Sequence, residues 1–348
     1  MPVLLGVKMK EAMLYEKLEG ERVRCNVCAH KCEIAEGRFG VCRTRQNVGG
    51  RLFTLIYGRV SSEHADPIEK KPLFHFYPGS YVYSLGTISC NFRCLHCQNF
   101  SISRLTAEDV SARRFTFELS PSEAVRRAGA MGCQGVAWTY NEPTIWFEFT
   151  YDCAQAAKRE ALYTVYVTNG YISEEALEKI STFLDAANVD VKAFNDDFYK
   201  KICGARLEPV LETCERMLKK GIHIELTYLV IPGHNDDDEQ FNDFASWVVS
   251  LDASIPVHFS RFYPCYKMLD VPPTSVATLE RAQNIARRKG VEFVYLGNVP
   301  GHEYENTFCP DCGVVLVERH GYNVRIKFNV EGGRARCPEC GREIRLVI

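Results

Sequence analysis

Cys90, Cys94 and Cys97, in the stretch GTISCNFRCLHCQNFS at residues 86–101, stand at the spacing C-x3-C-x2-C, and no further cysteine follows until Cys133. Thiolates are the ligands of iron–sulfur clusters, and a cube of four irons needs a ligand on each iron. Three cysteines at this spacing therefore either lack a protein partner or leave one iron open. Taken alone they also fit half of a zinc site.

The chain of 348 residues has sixteen cysteines, and eleven of them fall into three clusters. The amino-terminal set, Cys25-x2-Cys28-x3-Cys32-x9-Cys42, is irregular. It could hold zinc or a second iron–sulfur cluster that relays electrons, and His30 could replace one thiol. At the other end CPDCG (309–313) and CPECG (337–341) read as two knuckles, Cys309 with Cys312 and Cys337 with Cys340. Their Pro and Gly make tight turns that aim four thiolates at one tetrahedral ion, zinc or iron, as in a rubredoxin or zinc ribbon. The intervening VVLVERHGYNVRIKFNV reads as a hairpin, and the ion as a staple that lets about 40 residues fold. Cys133, Cys153, Cys203 and Cys214 sit in apolar or helical surroundings and read as small core residues.

So many thiols imply a reducing compartment, because cytosolic chains do not build disulfide frameworks. The opening MPVLLGVKMKEAML carries Lys8 and Lys10 and no small-residue cleavage site, and no run of about 18 apolar residues occurs. The expectation is a cytoplasmic protein without membrane association. With 46% hydrophobic and 25% charged residues the chain can bury a large core, one catalytic domain with small appendages. Residues 1–60 carry +5 and residues 309–348 carry +2, which against a net charge of −2 leaves the centre near −9. Mildly basic ends lack the dense basic stripe of nucleic-acid binders, so that partner is the minor alternative.

The elements that must position these groups are legible in the middle of the chain. Short β-rich runs at 81–87, 135–140, 162–169, 188–194, 222–231, 256–262 and 291–298 alternate with helical patterns. Ser120 with Pro121 opens PSEAVRRAGAMG, Ser173 opens EEALEKISTFL, PVLETCERMLKKG stops at Gly221, and SVATLERAQNIARRKG stops at Gly290. Repeated β-α units predict a parallel sheet, with the functional rim at the carboxyl ends of its strands. Polar residues stand there in otherwise apolar runs: Asn141 and Glu142, Thr168 and Asn169, Asp190 and Lys192, Thr227, and His258. Each has a bland reading too: Asp190 as a helix cap, Thr168 and Asn169 as turn residues, His258 as a hydrogen-bonded core histidine.

A C-x3-C-x2-C loop directly after the first strand of such a repeat resembles the radical S-adenosylmethionine (radical SAM) superfamily. In detail DPIEKKPLFHFYPGS (66–80), YNEPT (140–144), VTNG (167–170), DVKAF (190–194), IPGHND (231–236) and GNVPGHEYENTFCPDCG (297–313) are similar to the AmmeMemoRadiSam-system radical SAM enzymes, relatives of pyruvate formate-lyase activating enzyme. The resemblance implies an α/β fold, a partial (β/α)6 TIM-like barrel over residues 76–303, preceded by a Cys-rich metal-binding region (1–75) and followed by a four-cysteine ribbon (304–348). It implies a [4Fe-4S] cluster on Cys90, Cys94 and Cys97, whose fourth iron is chelated by the amino and carboxylate groups of S-adenosylmethionine. Glu142 beside Asn141 would bind the methionine amino group, Asp190 and Lys192 would help to hold the cofactor, His258 would lie near its ribose and adenine, and His96 would pack on the adenine.

The activity implied is reductive cleavage of S-adenosylmethionine to a 5′-deoxyadenosyl radical that takes hydrogen from a protein or small-molecule substrate, with an electron donor of the ferredoxin or flavodoxin type. The alternatives are an RNA-modifying radical SAM enzyme and a non-catalytic metal-binding adaptor. Two departures stand out. Val167 occupies the place where the activating enzymes have Asp, and Cys265, in RFYPCYKM (261–268), the place where the resembling family usually has Asp. Cys265 therefore reads either as a space-filling thiol or as a hydrogen donor or redox partner for a substrate radical.

Overall fold

A computed structural model describes residues 9–111 and 115–348. Its centre is an eight-stranded sheet: β1 (Ser62–Pro67), β2 (Tyr81–Gly86), β3 (Gly135–Trp138), β4 (Tyr163–Thr168), β5 (Ala186–Asp190), β6 (His223–Val230), β7 (Val257–Arg261) and β8 (Val294–Gly297). The strands lie in chain order from one edge to the other; β2 to β8 are parallel and β1 pairs antiparallel with β2. Six helical connections join the parallel strands. They include α1 (Pro121–Ala130), α2 (Phe147–Arg159), α3 (Glu174–Ser181), α4 (Glu208–Lys219), α5 (Asp238–Leu251) and α6 (Val276–Lys289).

All seven strand runs read from the sequence are present, the fourth shifted to end at Asp190. The start signals work as their chemistry requires. Ser120, Ser173 and Ser275 accept from the backbone N–H three residues on, and Pro121 fills the first turn of α1. Gly290 caps α6 in the left-handed conformation. The strand β1, SEHADP, lies upstream of the expected boundary at residue 75 and gives no apolar alternation; it is an edge strand with His64 and Ala65 exposed and only Asp66 buried.

Upstream of β1, two three-stranded antiparallel sheets are built from Lys10–Glu11, Arg45–Val48 and Arg51–Thr54, and from Tyr15–Lys17, Val23–Cys25 and Glu33–Ile34. Downstream, the hairpin Val315–His320 with Asn323–Ile326 and the pair Asn329–Glu331 with Arg334–Arg336 carry the carboxyl-terminal knuckles. This ribbon seats on the segment before β2. Buried Arg319 donates to the Phe74 carbonyl at 2.8 Å, and the His75 carbonyl accepts from Val347 N–H at 2.8 Å. Among the described residues no helix is long and apolar enough to cross a membrane.

Candidate active site

The loop after β2 carries Cys90, Cys94 and Cys97, and neighbouring elements hold its backbone. Ser89 N–H donates to the Ile102 carbonyl (2.7 Å), Arg93 N–H to Cys203 (2.7 Å) and Leu95 N–H to Ile202 (3.0 Å). The last two acceptors belong to a single π-helical turn, Tyr199–Cys203. The Arg104 guanidinium reaches the carbonyls of Phe92 (2.5 Å) and Cys94 (3.3 Å). Two non-glycine residues at the rim, Ser89 (φ 70°) and Tyr140 (φ 72°), have left-handed backbone. Such strain persists only where surrounding contacts over-determine it, as the Asn141 side chain does here. Its Nδ2 donates to the Ser89 carbonyl at 2.8 Å and its Oδ1 accepts from Thr87 N–H at 3.1 Å.

Beside this loop lies an open cleft of about 210 Å³. Its wall includes all three cysteines, His96, Arg104, Asn141, Asn169, Asp190, Lys192, Thr227 and Ser260. Lys192 Nζ donates to Asp190 at 2.7 Å. Burial alone would lower that ammonium, but the facing carboxylate outweighs it and holds Lys192 above the ordinary lysine range. His96 is buried, neither ring nitrogen has a hydrogen-bond partner, and burial pushes its imidazole down to about 3.

Five of the residues expected from the strand ends thus share the cleft with the cysteines: Asn141, Asn169, Asp190, Lys192 and Thr227. Glu142 and Thr168 lie behind the wall. The fully buried Glu142 carboxylate accepts from Thr144 N–H (3.0 Å), Thr168 Oγ1 (2.8 Å) and Asn169 N–H (2.8 Å), which ties the end of β3 to that of β4. Burial raises its pKa and these donors oppose the rise. The turn that follows needs Gly170, at φ +69°, where a Cβ would come within 2.8 Å of Val189 Cγ1.

His258 points deeper. Its Nε2 lies 2.7 Å from Glu225 Oε2, and its ring stacks on Tyr295 and meets Phe74 edge-on. Glu225 also accepts from the backbone N–H groups of Phe74 (2.9 Å) and His75 (2.7 Å), so this histidine belongs to the junction with the ribbon. The Cys265 thiol stands 3.6 Å from the Cys97 carbonyl, behind the loop. Sequence reasoning missed Arg104, Asn91 and Ser260; only Ser260, two residues beyond His258, carried a signal, the period-2 alternation of a strand.

At the carboxyl terminus, Cys309, Cys312, Cys337 and Cys340 bring all four sulfurs within 4.8 Å of one another, with 3.6 Å between Cys309 and Cys340 and 3.5 Å between Cys312 and Cys337. These are the edges of a tetrahedron around one ion, about 3.8 Å for a zinc–sulfur bond of about 2.3 Å. Cys25, Cys28, Cys32 and Cys42 gather around a separate small cavity.

A parallel α/β sheet in chain order, with a three-cysteine loop and a polar cleft on its carboxyl rim, has its candidate site where parallel α/β sheets bind their ligands. The chain matches the Radical SAM superfamily over residues 85–245. It is 47% identical to an uncharacterized protein of Methanocaldococcus jannaschii over 98% of this chain and all of that one. It is 23% identical to pyruvate formate-lyase 1-activating enzyme of Escherichia coli over 59% of this chain and 88% of the relative. To 4-hydroxyphenylacetate decarboxylase activating enzyme of Clostridioides difficile it is 26% identical over 33% of this chain and 37% of the relative. The chain belongs to the radical SAM superfamily.

Proposed function

We propose that this protein is an activase-like radical SAM enzyme of the AmmeMemoRadiSam-system type, which abstracts hydrogen from a protein or small-molecule substrate. The observation that carries the reading is the meeting of Cys90, Cys94 and Cys97 on one cleft with Asp190 and Lys192. The three thiols would hold a [4Fe-4S] cluster, with S-adenosylmethionine on its open iron. When bound, that pair supplies one-electron cleavage of the sulfonium S–C5′ bond to methionine and a 5′-deoxyadenosyl radical.

The chain's own residues meet the remaining needs. Lys192, kept cationic by Asp190, faces the cleft as an anchor for a carboxylate, and Asn141, Asn169 and Thr227 offer further polar contacts around it. His96 lines the same cleft and would pack on the adenine base. Phe92 and Leu229 add apolar wall that keeps water from a reactive species. Glu142, Thr168 and His258 act one layer back in this reading, and Cys265 stays a candidate hydrogen donor because it touches the backbone of the last ligand.

A partial (β/α)6 barrel is supported by the strand order. Right-handed crossovers between consecutive neighbours put every helix on one face and leave the other to line an interior. We divide the chain as expected, at about residues 75 and 303, with β1 as the stretch that joins the first unit to the core. Sixteen free cysteines fit a reducing cytoplasm with an electron donor of the ferredoxin or flavodoxin type.

Anaerobically reconstituted protein given dithionite and S-adenosylmethionine should form 5′-deoxyadenosine. The Cys90→Ala/Cys94→Ala/Cys97→Ala variant should form none and lose about four irons per chain. A parent that holds its full iron yet leaves S-adenosylmethionine intact would refute the reading.

A further inference from the structure

We infer that Cys25, Cys28, Cys32 and Cys42 bind a second iron–sulfur cluster, seated directly against the Cys90 loop, and not a single zinc ion. The two four-cysteine sets of this chain differ in the way that separates those outcomes. A mononuclear tetrahedral site needs sulfurs about 3.8 Å apart, whereas thiolates on the corners of a cubane stand about 6 Å apart because the cluster core lies between them. The carboxyl-terminal set meets the first requirement. It is the only group of three or more His, Cys or carboxylate ligands among the described residues whose atoms all lie within 4.8 Å. The amino-terminal four do not close up in this way, although all four line one small pocket of their own.

That cavity is dressed for a cluster. Apolar side chains (Val27, Ile34, Val41 and Ile145) share its wall with the sulfurs, which keeps it dry, as cluster stability and a low potential require. Arg45, 2% exposed, brings a cation to the wall, suited to the net negative charge of a cluster with four thiolates. Asn91 also lines it, and its amide Nδ2 is buried with no hydrogen-bond partner while its Oδ1 accepts from Asn169 Nδ2 at 2.8 Å. An idle amide donor facing a set of cysteines is the group that hydrogen-bonds a cluster sulfur.

Neighbouring backbone fixes how close the two sites are. Asn91 follows Cys90 directly, and its carbonyl lies 2.9 Å from His30 Nε2 of the amino-terminal loop. Ser89 Oγ donates to the Cys42 carbonyl at 2.6 Å, and the Arg93 guanidinium spans from the Cys90 carbonyl to that of Val41. On the far side Ala29 N–H donates to Tyr171 (3.0 Å) and Ser173 N–H to Val27 (3.1 Å), docking the Cys25–Cys32 turn onto the loop after β4. Cys90, on the cleft, and Asn91, on the amino-terminal pocket, are thus consecutive residues of one loop.

The inference rests on the proposed function only for the presence of the first cluster. Its test uses full-length Cys90→Ala/Cys94→Ala/Cys97→Ala protein, reconstituted anaerobically with iron and sulfide. We expect this variant to keep an iron–sulfur chromophore with about two or four irons and matching acid-labile sulfide, the counts of the two cluster types that four cysteines hold. Adding Cys28→Ala/Cys32→Ala should abolish the chromophore and leave the carboxyl-terminal metal in place. The unsubstituted protein, reduced, should give two cluster signals in Mössbauer spectra and mutually broadened electron paramagnetic resonance lines. Overturning results would be a triple-cysteine variant that carries no labile sulfide and one zinc beyond that of the ribbon, or a parent with a single cluster signal. A parent that makes no 5′-deoxyadenosine while the triple variant keeps iron and sulfide would sink the proposed function and leave this inference standing.

Discussion

Arg45 has two tasks, and two substitutions separate them. Its guanidinium makes a bidentate pair with Glu148, Nη1 to Oε1 at 2.9 Å and Nη2 to Oε2 at 2.7 Å, with both side chains at most 2% exposed. Removing one partner of such a pair strands the other charge out of water, at a cost of about 3–5 kcal/mol, whereas replacing both by apolar groups of similar volume is near neutral. Glu148 retains one further donor, Met13 N–H at 3.0 Å, so Arg45→Met should fall at the lower end, about 3 kcal/mol. Urea unfolding followed by circular dichroism measures this. Arg45→Met/Glu148→Leu should recover most of the loss. Arg45 also lines the amino-terminal cysteine cavity, so neither variant should hold iron there as firmly as the parent. Iron retained after mild chelation, measured in the background that lacks the Cys90 cluster, reads that second task. A loss under about 1 kcal/mol in Arg45→Met would refute the account of the pair, and parental iron retention in the double variant would refute the electrostatic role.

Lys192→Met should weaken S-adenosylmethionine binding by about 1.5–3 kcal/mol, the scale of a hydrogen bond to a charged group, without altering the cluster absorbance. Equilibrium dialysis with the labelled cofactor checks it, and unchanged affinity would make Lys192 a structural partner of Asp190. A pH dependence follows from His75, whose Nδ1 faces the Arg345 carbonyl and whose Nε2 faces the Tyr295 hydroxyl, and whose pKa burial pushes down to about 4. The native state thus holds this imidazole neutral while the unfolded chain protonates it near 6.5. Stability is full above pH 6.5 and falls toward pH 4, by about 2 kcal/mol at pH 5. Urea titrations at pH 7.5 and 5 should show that loss in the parent and a smaller one in His75→Gln.

The parallel sheet was readable because buried parallel strands are apolar runs and each helix carries its own start and stop chemistry. What escaped was set by partners distant in the chain. β1 is polar and gains its place only by pairing with β2, at the register Ser62 to Gly86. The single π-helical turn at Tyr199–Cys203 has no signature of its own. Its use is to offer the carbonyls of Ile202 and Cys203 to Leu95 and Arg93 of the cysteine loop, far earlier in the chain.

For the site, the face of each strand was legible but the depth was not. Period 2 places Glu225, Thr227 and Leu229 on one side of β6, and His258 and Ser260 on the matching side of β7. Register then decides. His258 lies opposite Thr227 and Ser260 opposite Leu229, so the serine is one step nearer the rim. The imidazole turns away from the cleft because Glu225, buried and anchored by the backbone of Phe74 and His75, offers it a carboxylate that no single-strand pattern reveals. The run LFHFYP at 73–78 is what brings that carboxylate its donors, and in doing so it fills the interior below the cleft. A cofactor in the cleft would thereby be confined to the rim, against Asp190, Lys192 and the cysteine loop, because His258 and Glu225 are already engaged with each other below it.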